Sequence, residues 1–192
     1  MKIVGFTSNY GEREETPRCY LMADSSILYS GRPFFLPDFA QAFVATPTIV
    51  VRTGRLGKCI APKFAHRYWD AMTAGFTVHA VNSDDERLMA LDRAFDGALI
   101  VGEWVENIGD GKALEDALVE VMVGGEDVAQ CRLRDMHHRL ADLLAGVSTR
   151  CSIKMGDIIV TGDAANAVTL TPGTRLTAAV EGQPVLDVKV RL

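Results

Sequence analysis

The sequence predicts an α+β fold: one domain over residues 1–192, built on antiparallel and mixed β-sheet with a few short helices. Three observations carry this. Short β-branched runs bounded by glycine and proline recur along the chain, as at residues 3–6 and 49–51. Helical periodicity is confined to a few short segments, and strands and helices do not alternate in the rhythm of βαβ units. The tail alternates, with Leu176, Ala178 and Val180, then Leu186, Val188 and Val190 set against Val185, Asp187 and Lys189.

The elements follow in order. In the first third, Gly11, Pro17, Gly31, Pro33, Pro37 and Pro47 interrupt the apolar runs and favour strands. Pro62 predicts a helix running to about Ala74, because its missing N–H falls where a helix has no internal partner anyway. Residues 75–81 read as strand. Ser83 and Glu86 form a capping-box pattern ahead of Leu88, Leu91 and Phe95 at helical spacing. Residues 98–105, 118–123 and 128–133 read as extended. An amphipathic helix is expected over 135–145, with Met136, Leu140, Leu143 and Leu144 on one face and Gly146 closing it. Residues 157–160 then lead as a strand into a Thr161-Gly162 turn, and residues 181–184 turn a closing hairpin.

With 48% hydrophobic and 23% charged residues, the chain has the composition of a soluble domain long enough to bury one core. A net charge of −5 and a pI near 5.4 argue against nucleic-acid and anionic-membrane partners. The basic residues are scattered, as in Arg132 and Arg134 or Lys189 and Arg191. The opening apolar run is too short for a signal peptide, and no stretch approaches the ~20 apolar residues of a membrane helix, so a cytoplasmic location is expected. Cys19, Cys59, Cys131 and Cys151 are far apart with no Cys-x-x-Cys pair, which predicts reduced, mostly buried thiols and no structural zinc.

Several segments carry a resemblance, in order. They are Ser8-Asn9-Tyr10-Gly11, Gly75-Phe76-Thr77-Val78, Arg93-Ala94-Phe95-Asp96-Gly97, Gly102-x-Trp104-Val105, Val123-Gly124-Gly125-Glu126 with Gln130, and the run from Met155 to Gly162, followed by Leu170-Thr171-Pro172-Gly173. Together they resemble the fumarylacetoacetate hydrolase family of hydrolases, decarboxylases and isomerases. The resemblance implies a rolled mixed sheet or β-sandwich, usually dimeric. It also implies a Mg²⁺ or Mn²⁺ held by two glutamates of a Glu-x-Glu strand and one aspartate, hard oxygen ligands that suit such ions. The metal in turn holds an oxo-carboxylate and stabilises its enolate. A histidine base and a lysine complete the family's site.

Carried over residue by residue, that site is missing. No glutamate lies between Gln41 and His79. The Glu-x-Glu positions fall on Thr46 and Thr48 when counted from Leu36-Pro37, and on Ile49 and Val51 when counted back from Gly57-Lys58. The metal aspartate falls on Val81. Asp84 and Asp85 lie just beyond, where acidic residues favour the start of a helix. The histidine becomes Arg13, which stays protonated and cannot act as a base, and its neighbours Glu12, Glu14 and Glu15 read as a solvated loop. The lysine becomes Arg93, a fork that still suits a carboxylate. A threonine after Thr161-Gly162 becomes Asp163, which repels an anion unless protonated or paired. A further lysine becomes Ala23 or Asp24, and an arginine and a glutamine become Asp85 and Leu88.

The candidate catalytic residues are therefore Arg13, Arg93 and Asp163, and the candidate ligand-binding residues are Tyr10, Thr46, Thr48, His79 and Thr161; no metal ligand and no cofactor are expected. His79 alternates with apolar neighbours, His137 and His138 point about 100° apart on a helix, and Trp69 and Trp104 read as anchors. Ser25, Ser26 and Ser148 lack a nucleophile elbow, and Gly54 to Lys58 lacks phosphate-loop spacing. The expectation is a homodimer that has lost metal-dependent catalysis and binds a small carboxylate. An enzyme with a relocated site, or an inactive subunit beside an active paralogue, are the alternatives.

Overall fold

The computed structural model describes residues 1–11, 16–107 and 112–192. Two long strands, β5 (Ala40–Thr53) and β6 (Trp69–Ser83), form its spine, pairing antiparallel from Ala40 opposite Ser83 to Thr53 opposite Trp69. β1 (Ile3–Phe6), β2 (Cys19–Met22), β3 (Ile27–Tyr29), β7 (Leu99–Val101) and β11 (Ile158–Val160) extend this sheet in the order β2-β1-β11-β5-β6-β7-β3. Two short strands, β8 (Val105–Glu106) and β12 (Val168–Thr169), add to β6 and β5. β1 with β11 and β3 with β7 are parallel, so the curled sheet is mixed. A second sheet has the order β10-β9-β13-β14-β4, from β4 (Phe34–Phe35), β9 (Val119–Val123), β10 (Glu126–Cys131), β13 (Arg175–Val180) and β14 (Gln183–Arg191). The expected α+β class and rolled architecture stand.

Alternation along β5 and β6 divides the apolar residues between two faces. Ile49, Val51, Met72, Ala74, Phe76 and Val78 point toward the second sheet, where they meet Val119, Val121, Leu176, Ala178, Leu186 and Val188 in the main core. The opposite face gathers Ile3, Met22, Val50, Leu99, Val101, Ile158 and Val160 into a smaller cluster. Gly75 sits where the strands crowd: a Cβ there would come within 2.6 Å of the Ile100 carbonyl and 2.7 Å of a Val50 methyl. The tail hairpin closes through Glu181 (φ 50°) and Gly182 (φ 73°), two left-handed residues of a tight two-residue turn.

The helices differ from expectation. The segment opened by Pro62 is a 3₁₀ turn ending at Arg67, and residues from Trp69 join β6 instead. Pairing with β5, β7 and β8 outweighs local helical preference there. Glu86–Leu91 is also 3₁₀, and its cap is Asp85, which accepts from the Arg87 amide. Ser83 donates to Asp92 instead of capping, and Leu88 and Leu91 face solvent. Besides the short α1 (Lys112–Asp116), the one longer α-helix among the described residues is α2 (Leu140–Arg150). It starts later than expected, keeps Gly146 in its interior and has Cys151 as C-cap. All four thiols are free; Cys131 is buried and Cys151 half-buried, but Cys19 and Cys59 are exposed, against the expectation of mostly buried thiols. Trp69 is buried in the main core, and Trp104 packs on the smaller cluster beneath the Arg52 guanidinium.

Asp157 ties the N-terminus to the start of β11. Its carboxylate accepts from the Lys2 amide at 2.9 Å and the Lys154 amide at 2.7 Å, and pairs with the Lys2 ammonium. Burial pushes this carboxyl up, but the Lys2 ammonium and the two amides together outweigh it and hold the group below its ordinary value of 3.8. The contribution to stability is therefore complete above that value and is lost as pH falls through the lower folded-state value. Asp157→Ala should cost about 2–4 kcal/mol at neutral pH. Denaturant unfolding should show the gap between variant and parent narrowing below about pH 4; a gap that widens on acidification would contradict this account.

Candidate functional site

A cleft of about 730 Å³ opens where β5, β6, the end of β11 and the loop after β1 converge. Strand register places its floor. Thr46 is opposite Thr77, Val44 opposite His79 and Thr48 opposite Gly75, so Thr46, Thr48, Thr77 and His79 share one face of the sheet. Ile49 and Val51 lie in the core on the other face; of the β5 threonines on the cleft side, Thr46 lines the cleft and Thr48 is buried beneath it. From β11 the chain runs through Thr161 and Gly162 to Asp163 on the cleft wall, with the Thr161 amide donating to the Ile49 carbonyl and the Ala164 amide to that of Pro47. Arg93 enters from beyond the 3₁₀ turn after β6, its guanidinium carbon 5.8 Å from the Tyr20 ring centre.

Asn9 fixes the loop after β1. Fully buried, its amide donates to the carbonyls of Thr161 (2.9 Å) and His138 (3.0 Å), and its side-chain oxygen accepts from the His138 amide (2.8 Å). Gly162, at φ 129°, allows this approach, since a Cβ there would lie 2.5 Å from that of Asn9. Next door, the Thr161 hydroxyl donates to the Ile49 carbonyl, so Tyr10 must be the donor in their 2.9 Å contact. Burial pushes the Tyr10 phenol well up, and it remains a hydroxyl at any physiological pH. Thr48 donates to the Gly162 carbonyl at 2.7 Å. Its proton is spent on holding the wall in place.

Three ionisable groups face one another across the cleft. Burial raises the Asp163 carboxyl above its ordinary value, offset in part by the Ser8 amide, Arg93 and His79. Burial, and then the Arg93 cation, lower the His79 imidazole from 6.5, so at neutral pH it is uncharged. Arg93 supplies a permanent positive charge. Such an arrangement can grip an anion at a guanidinium fork, surround it with neutral hydrogen-bonding groups from Ser8, Thr46 and His79, and accept a proton at His79. A second hollow of about 640 Å³ shares Ser8, Arg93 and Asp163 and continues to Thr7, Thr16 and Arg18.

Of the candidates named from the sequence, Tyr10, Thr46, His79, Arg93 and Asp163 line the cleft, and Thr48 and Thr161 support it from beneath. Arg13, like Glu12, Glu14 and Glu15, lies outside the described residues. Asp84 and Asp85 do not reach the cleft; they border a separate apolar hollow with Phe39, Leu88 and Phe95, where Asp85 pairs with Arg87. His137 contacts the Gly11 carbonyl through Nε2. Sequence reasoning missed Ser8, Val128 and the wall from Ala164 to Val168. Asn9 was visible in the Asn-Tyr motif, but its role as a buried cross-link was not. Among the described residues, no three His, Cys, Asp or Glu side chains converge as a metal-ligand group.

Comparison with curated protein sequences gives no match. Solved structures share the fold. A 5-carboxymethyl-2-hydroxymuconate delta-isomerase from Mycobacterium smegmatis matches with TM-score 0.84 and 22% identity, over 99% of this chain and 78% of the other. A fumarylpyruvate hydrolase from Pseudomonas aeruginosa, in complex with Mn²⁺ and pyruvate, matches with TM-score 0.84 and 17% identity, over 100% and 90%. A 2-hydroxyhepta-2,4-diene-1,7-dioate isomerase from Mycobacterium marinum matches with TM-score 0.83 and 21% identity, over 99% and 74%. The family model for the fumarylacetoacetate (FAA) hydrolase C-terminal domain matches residues 4–191, and the chain belongs to the fumarylacetoacetate hydrolase family.

Proposed function

We propose that this family member binds a small carboxylate in the cleft, as a homodimer, without the metal-dependent hydrolysis, decarboxylation or isomerisation of acylpyruvate-type oxo-acids expected of the family. The supporting observation is the donor set. Where β5 lines the cleft it offers the Thr46 hydroxyl, Thr48 being buried beneath it and already donating to a carbonyl, and Asp163 is the one carboxylate among the described lining residues. Mg²⁺ and Mn²⁺ need several anionic oxygens to offset their charge and lost hydration. These residues do not fit such an ion, and no step is routed through one. Arg93 instead provides the charge for a carboxylate, with Ser8, Thr46 and His79 as neutral partners.

A second reading rests on His79. An uncharged imidazole between Arg93 and Asp163 is a competent proton acceptor, so a relocated activity on an oxo-acid is its alternative. Turnover of oxaloacetate or an acylpyruvate that disappears in Arg93→Ala would favour that alternative over the binding role.

Electron paramagnetic resonance titration with Mn²⁺ should leave the ion free at protein concentrations near 100 μM, and one bound ion per chain would overturn the proposal. Calorimetric titration with pyruvate should show affinity falling about 10–100-fold in Arg93→Ala. Affinity should also rise as pH falls below neutrality, since protonating His79, whose value burial holds below 6.5, adds a cation, and protonating Asp163, whose value burial holds above 3.8, removes a repulsion. Flat or opposite pH dependence would count against the assignment. Sedimentation equilibrium should return about twice the 20.9 kDa chain mass.

A further inference from the structure

At the far end of β5, roughly 20 Å from Thr46 at strand rise, the fold assembles a surface that net charge conceals. The Gly57–Ile153 bridge, with N–H···O contacts of 2.9 and 2.8 Å, sets the loop after β5 beside the segment after α2. The Cys59 amide donates to the Ser148 carbonyl and the Ile60 amide to the Ser148 hydroxyl, continuing the seam. Residues 54–67 and 145–156 contain no aspartate or glutamate. These two joined segments carry Arg55, Lys58, Lys63, Arg67, Arg150 and Lys154, all exposed; at their edges Asp70, paired with Arg52, abuts Gly54, and Glu115 shares a hollow with Pro62 and His66. Among the described residues none of these six takes part in an ion pair. Lys2 also reaches this seam, at the Ser152 carbonyl, but Asp157 neutralises it. Removing these six from the chain's 20 Lys and Arg leaves 14 against 25 Asp and Glu, so the protein is strongly polar in charge.

Apolar side chains project from the same surface. Leu56 and Met155, on the two bridged segments, are 69% and 76% exposed, and Phe64 is 41% exposed. We propose that this face docks on an anionic lipid bilayer, with the cations at the headgroups and Leu56 and Met155 entering the acyl boundary. Exposed basic residues near such a surface give electrostatic attraction, and exposed aliphatic tips give it depth. The alternatives fit less well. A two-fold copy of the chain would face the patch with the same charge. Single-stranded nucleic acid calls for open aromatic faces, whereas the Phe64 ring has Lys63 and Arg67 within 5.0 Å of its centre.

Co-sedimentation of the full chain with phosphatidylcholine vesicles, with and without about 30% phosphatidylserine, tests this. Binding is expected only to the anionic vesicles in 50 mM salt, and it should vanish in 500 mM. Arg55→Ala with Lys154→Ala should weaken it roughly 25-fold. Leu56→Ser with Met155→Ser should weaken it about tenfold at unchanged charge. All four side chains are exposed, so circular dichroism should be unchanged, and Arg93→Ala should bind vesicles like the parent. Absence of binding at 50 mM salt, or equal binding by the charge variant, overturns the proposal. So does tighter binding to a 20-nucleotide single strand that the same charge variant weakens, which would assign the face to nucleic acid instead.

Discussion

The antiparallel pairing of β5 with β6 is the constraint on which the rest of this structure depends. Its register decides which residues enter the main core and which face the cleft, and a one-residue slip would exchange the two sets. Gly75 is locked into that register, because only a residue without a side chain fits between the Ile100 carbonyl and Val50. The same two strands run from the cleft at one end to the basic surface at the other, so both candidate functions share one rigid element.

Within the cleft, structure and chemistry are divided between two sets of polar residues. Asn9, Tyr10, Thr48 and Thr161 spend their hydrogen bonds on the wall, fastening the loop after β1 to the end of β11. Ser8, Thr46, His79, Arg93 and Asp163 face open space. In that second group burial works against charge, keeping His79 neutral and raising Asp163, while Arg93 stays cationic. The balance suits an anion held by one guanidinium better than a doubly charged ion.

Much of the sheet was legible because its strands carry local signals. The tail hairpin shows its alternation and its glycine turn, and residues 157–160 lead into Thr161-Gly162 as expected. Helices were less legible. The stretch after Pro62 has helical spacing, yet residues from Trp69 gain more from pairing with β5 and β7 than from continuing a turn. Leu88 and Leu91 have the period of a buried face but lie on an exposed 3₁₀ segment. Periodicity records a pattern without recording whether anything arrives to cover it.

By itself the sequence determined the fold class, the family resemblance and the absence of glutamates from the strand that would present them, since all three are written in local residue order. The tertiary structure alone put Thr46 on the cleft with Thr48 buried beneath it, and Ile49 and Val51 in the core, because sidedness is set by pairing register. It alone joined residues 54–67 to 145–156, setting cations scattered in the sequence on two neighbouring segments. Charge and hydrogen bonding act through space over a few ångströms, and residues about 100 positions apart become neighbours only when a bridge such as Gly57 to Ile153 closes.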